Sequence, residues 1–179
     1  MGHEAGTTGA KFSVLDDPVL STHGDIAFQA TLRGGGLKGS VLQTIWWKPA
    51  GDSLKLLAQG GTDAGDLPGA KWKSFTSLAI AGGGQGPIFT ATLVPNKTNV
   101  SPATAMGVWA CDYAGKPRLL FRTGIPDAIM PGKTLKSFTL LKASVGSAGV
   151  TRSFNDAQQV ARLATFMDKS QSIVMTKVP

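Results

Sequence analysis

The chain has 179 residues, 42% hydrophobic and 16% charged, which suits one globular domain and excludes a disordered polymer. Its single cysteine, Cys111, excludes an intramolecular disulfide, and no apolar run reaches the roughly 18 residues that a membrane-spanning helix needs. The net charge of +7 is uneven: residues 1–70 hold five Lys/Arg against seven Asp/Glu, residues 71–179 thirteen against four. The basic residues are nevertheless scattered singly, so a specific polyanion partner is the minority reading.

Residues 1–9 are small and polar and read as a flexible tail, with no signal peptide visible. A first strand is expected around Phe12, and a second over Ile26–Leu32, where Ile26, Phe28, Ala30 and Leu32 alternate with small or polar residues. Gly34-Gly35-Gly36-Leu37-Lys38-Gly39 has the spacing of a dinucleotide loop, but Val41 to Trp47 reads as a third strand where that motif needs a helix. Ala50-Gly51-Asp52 is a hairpin turn, and Leu54–Ala58 a fourth strand.

The same order then returns. Strands are expected over Ser74–Ile80, Ile88–Leu93, Val108–Cys111 and Arg118–Arg122, the last two joined at Ala114-Gly115-Lys116. Phe12, Phe75 and Phe138 are spaced by 63 residues, as are Trp46 and Trp109, Leu56 and Leu119, and Pro68 and Pro131. Self-similarity at one period marks units that bury their apolar faces against neighbours. A third copy starts at Lys136-Ser137-Phe138-Thr139, gains roughly ten residues around Val145–Gly149, and lacks a fourth strand. Its Asp156–Phe166 stretch fits either a helix or a turn followed by a strand.

The expected fold is all-β: a propeller-like array of nearly three four-stranded repeats of about 63 residues, with units 10–70, 71–133 and 134–179 forming one domain. A β-sandwich is the alternative. Fewer than three complete units do not close a ring of about four to eight blades. A homo-oligomer, or continuation in a longer parent chain, is therefore expected.

Ser21-Thr22-His23-Gly24-Asp25-Ile26-Ala27-Phe28 resembles the motif of bacterial tandem-repeat proteins defined by Asn-x-x-Gly-x-x-Ala-Phe, with Ser21 in place of Asn. Asn155 to Arg162 keeps the Asn and Ala but has Gln158 for Gly and Arg162 for Phe. Gly82 to Phe89 keeps only the Phe. The resemblance implies a propeller-like build, export or attachment at the cell surface, and no transferable catalytic residue. The motif residues themselves read as structural: a turn cap, a turn glycine and a core strand.

Chemistry is sparse. Gly132-Lys133-Thr134 lacks the earlier glycine of a phosphate loop, since Asp127 stands there. His23 beside Asp25 and near Asp16-Asp17 invites a metal, but the other copies hold Gly84 and Ala157 at that place, so no metal and no cofactor is expected. Asp16-Asp17 and Asp63/Asp66 could pair for glycoside cleavage, and Asn96 and Asn99 match glycosylation acceptors. Cys111 reads as a small buried hydrophobe, and Trp46 and Trp109 as core. Trp47 points away from Trp46, and Trp72, between Lys71 and Lys73, reads as more exposed.

The expected function is a non-catalytic binding or scaffolding module whose partner is a protein or a surface polysaccharide. The alternative is a glycan or polyanion binder using Trp47, Trp72, Lys71 and Lys73. Nucleic acid is a weaker reading, and a hydrolase weaker still.

Overall fold

The computed structural model describes residues 9–81, 86–140 and 154–178. Residues 1–8, the Gly82–Gln85 motif copy and the Val145–Gly149 insertion lie outside them. The first sheet comprises β1 (Ala10–Leu15), β2 (Val19–Leu20), β3 (Ile26–Gly34), β4 (Gln43–Lys48) and β5 (Lys55–Gln59), in the order β1-β3-β4-β5 with β2 also on β3. The second holds β6 (Trp72–Ala79), β7 (Ile88–Leu93), β8 (Met106–Cys111) and β9 (Pro117–Arg122) as a meander. The third has β10 (Leu135–Leu140), β11 (Gln159–Phe166) and β12 (Gln171–Lys177). The described residues are all-β, in three antiparallel sheets, none of them closed on itself. A sandwich would need two.

Two details differ from expectation or resolve it. Asp156–Phe166 is a turn followed by β11, not a helix, because Val160, Arg162, Ala164 and Phe166 alternate onto one buried face. Val41 lies in a 3-10 turn over Gly39–Leu42, so the strand starts at Gln43. Gly39, at φ +62°, sets that entry.

The sheets lie face against face. Between the first two, small residues Ile45, Ala58 and Ala64 meet the large Trp72, Phe75, Phe89 and Trp109. Between the second and third the sizes are exchanged, with Phe121 of β9 meeting Leu135, Ala164 and Val174. Ala58 and Phe121 stand 63 residues apart, as do Trp72 and Leu135. A large residue on one side is thus matched by a smaller one opposite, which keeps packing dense. Phe75 and Phe89 sit edge to face at 5.8 Å, Phe12 and Trp46 at 5.2 Å, and Phe121 and Phe138 at 5.1 Å. Each such pair contributes about 0.5–1.5 kcal/mol beyond its buried area.

Candidate functional site

Trp72 opens β6, and the structure corrects its expected exposure: it is 1% exposed, with its ring 4.7 Å from that of Trp109. In a regular strand Trp72 and Phe75, three residues apart, would face opposite ways. Register shifts between Trp72 and Ser74, and between Phe75 and Ser77, let both turn into the core. Lys71 and Lys73 are thereby left exposed. Trp47 is also buried, against Ala27 and Ile80, on the face opposite Trp46. Neither indole offers a free ring for stacking, so Trp47, Trp72, Lys71 and Lys73 do not form one surface.

Crowding holds Trp47 there. A Cβ on Gly115, whose φ is +73°, would come within 2.8 Å of the Trp47 ring. Trp46 is satisfied differently, its Nε1 donating to Thr44 Oγ1 at 2.8 Å.

The most concentrated chemistry lies between the second and third sheets. Arg162, on the inward face of β11, donates through Nη2 to Asp127 Oδ2 and through Nη1 to Thr176 Oγ1, both at 2.5 Å. Its guanidinium carbon lies 3.9 Å above the centre of the Phe121 ring. Asp127 Oδ1 accepts from the backbone N–H groups of Ile129 and Met130, so the carboxylate also shapes its turn. A small cleft of about 90 Å³ adjoins Phe121, Arg122, Ile125 and Asp127. Ligand pockets of roughly 300–1,000 Å³ are several times larger, so this one suits packing better than binding.

The register explains why an arginine occupies that place. Phe28 faces Trp46, Phe89 faces Trp109, and Arg162 faces Val174 at corresponding positions of the three sheets. Asp127 lies 63 residues after Ala64, which is fully buried at the preceding boundary. One sheet boundary therefore holds Ala64 with Phe89, and the next holds Asp127 with Arg162. The sequence carried a signal for this that went unused: an arginine on the inward phase of the β11 alternation.

Asp25, Asp66, Asp112 and Asp168 are engaged in holding turns or in joining neighbouring elements. Asp25 accepts from Ser21 Oγ at 2.7 Å and from the Ala50 N–H at 2.8 Å. Asp66 accepts from the Leu119 N–H at 3.0 Å, which ties the first sheet to the second. Bonds from the Lys116 N–H and from Arg118 hold Asp112 below the usual carboxylate range, and bonds from Lys133 and Ser170 do the same for Asp168. His23, Asp16 and Asp17 are exposed, and the described residues contain no cluster of three or more His, Cys, Asp or Glu that could hold a metal ion. Cys111 is fully buried, and burial pushes its thiol far above the ordinary value.

The outer face of the third sheet is apolar and open. Ile173 is 62% exposed and Met175 56%. At the corresponding places Ile45 and Val108 are 0% exposed, and Trp47 and Ala110 are buried.

A family model described as a family of unknown function (DUF7453) matches residues 1–179. No curated protein and no solved structure matches the chain.

Proposed function

The chain belongs to that family along its whole length, and since the family brings no activity with it, we propose from the residues themselves a non-catalytic binding or scaffolding module. Its build on this reading is propeller-like, three successive blades sharing faces, in keeping with the resemblance to exported tandem-repeat proteins. Its place would then be outside the cell or on its surface.

One observation carries the reading: five of the carboxylates are committed to structure. Asp25, Asp66, Asp112, Asp127 and Asp168 each hold a turn, a neighbouring sheet or a cation. What is left for a partner is the exposed cationic surface, to which Lys71, Lys73 and Lys136 contribute from the entries of β6 and β10. Lys73 and Lys136 occupy corresponding positions 63 residues apart. Exposed cations at equivalent positions of successive sheets could be met by one acidic polymer, so the binding partner proposed is an acidic surface polysaccharide or an acidic protein face.

The test is retention on immobilised heparin with rising salt. A specific surface elutes above a neutral control of equal size, with a steep dependence on salt concentration. Lys71→Ala/Lys73→Ala/Lys136→Ala should elute markedly earlier. Co-elution of wild type with the neutral control would end the polyanion reading.

A further inference from the structure

We infer that the open apolar face of the third sheet is a docking surface for a second copy of this chain, joined head to tail. The inference rests on the face-sharing module reading above.

The face is built like two others that are already sealed. Ile45 pairs with Gln29, Val108 with Thr90 and Ile173 with Leu163 in equivalent registers. The first two lie at boundaries between sheets and are fully buried, whereas Ile173 is 62% exposed. In both sealed boundaries, what covers this face is the aromatic-bearing side of the next sheet.

A side of that kind lies on the first sheet, with Trp46 4% exposed and no residue of another described sheet in its cluster. Phe12, Phe28 and Trp46 pack on one another in a cluster whose members all come from the first sheet and its β3–β4 connection. Their counterparts Phe75, Phe89 and Trp109 are buried against a neighbouring sheet. Phe12 and Phe28 remain only half-buried. Among the described residues, each copy thus presents one face of each kind with no neighbouring sheet, and each fits the other.

Charge agrees with this direction. Residues 10–70 carry five Lys/Arg against six Asp, while residues 134–179 carry six Lys/Arg against two Asp. Opposite signs at the two ends favour head-to-tail meeting over tail-to-tail. A heterologous contact either closes or grows into a filament. Two chains of three sheets each give six, within the range of about four to eight at which propellers close. A closed pair is therefore the expected product.

The experiment is sedimentation and light scattering of the 179-residue chain over a wide concentration range, with Ile173→Asp/Met175→Asp beside it. Both residues are exposed, so the variant should keep the wild-type circular dichroism and melt like dilute, dissociated wild type. Wild type should be a dimer whose dissociation constant rises by about a hundredfold or more in the variant. A wild type that stays monomeric, a variant that dimerises equally well, or a ladder growing with concentration would each overturn the pairing. Heparin retention is measured on the same samples: a monomer that is still retained sinks the pairing alone, leaving the module reading intact.

Discussion

Arg162 and Asp127 form an ion pair at 2.5 Å in which neither side chain reaches solvent, 1% and 0% exposed. They lie 35 residues apart and join the turn after β9 to the middle of β11. Taking two charges out of water costs several kcal/mol each, so the pair must be judged against what it replaced. The preceding boundary gives that reference, because Ala64 and Phe89 hold the corresponding places with no charge at all.

Breaking the pair by Arg162→Ala or Asp127→Ala should cost about 3–5 kcal/mol, since either change strands a buried charge. Arg162→Phe/Asp127→Ala copies the other boundary and should recover most of that loss. A double-mutant cycle from urea unfolding measures the coupling. Additive costs of surface size would show that the pair contributes little.

Ile26–Leu32 is legible as a strand because its apolar residues alternate, and the spacing of Phe12, Phe75 and Phe138 marks the first strand of each sheet. Trp72 was misread because its burial depends on a bulge at Lys73, and one residue of slippage reverses the face a side chain takes. Arg162 was seen to occupy the motif's Phe position, but its partner lies in a turn with no sequence sign of facing it. The burial of Trp47 had the same difficulty, depending on Ile80 and on the approach of Gly115 from another sheet.

The turn before β11 carries a correctable strain. Ser21 and Asn155 anchor matching turns: the Asp25 N–H reaches Ser21 Oγ at 3.1 Å, and the Gln159 N–H reaches Asn155 Oδ1 at 2.9 Å. Gly24 takes φ +89° in the first, and Gln158 is forced to +61° in the second. Left-handed backbone costs a non-glycine residue about 1–2 kcal/mol, part of which glycine loses again to unfolded-state freedom. Gln158→Gly should therefore raise stability by about 0.5–1 kcal/mol, read as a higher melting temperature. An unchanged or lower value would mean that the Gln158 side chain makes a compensating contact.

Trp72 and its flanking lysines should separate cleanly by experiment. Trp72→Ala removes a fully buried indole and should cost about 3–5 kcal/mol. Lys73→Ala should change stability by less than about 0.5 kcal/mol while lowering heparin retention. A Trp72→Ala variant that kept its melting temperature and lost ligand binding would restore the stacking role that burial denies it.

Acid should loosen the β8–β9 and β11–β12 turns. Bonds from Lys133 and Ser170 hold Asp168 below its ordinary value, and Asp112 is held down by the Lys116 N–H and Arg118. Lowered in the folded state, these groups lend stability above the unfolded carboxylate value of about 4, and that share is lost as pH falls through it. Asp168→Asn should lower the melting temperature at pH 7 and flatten its decline in acid. An identical acid profile would show that the contact of Lys133, at the entry to β10, with Asp168 in the β11–β12 turn is without thermodynamic weight.

Cys111 reports on the same architecture from the opposite end of the pH scale. Desolvation by burial raises its thiol, and the neighbouring charge of Asp112 adds to the effect. With the folded value raised, its contribution to stability is complete below the unfolded thiol value of about 8.5 and falls as pH rises beyond it. The side chain also fills the space beside Gly86, where an added Cβ would sit 2.8 Å from Cys111 Cβ. Cys111→Ala should thus lose about 1 kcal/mol at neutral pH yet show a shallower alkaline decline. Native protein should resist thiol reagents until it unfolds, which makes the labelling rate a direct measure of opening at β8. Rapid labelling under native conditions would require the second sheet to part from its neighbours far more often than its buried aromatic contacts allow.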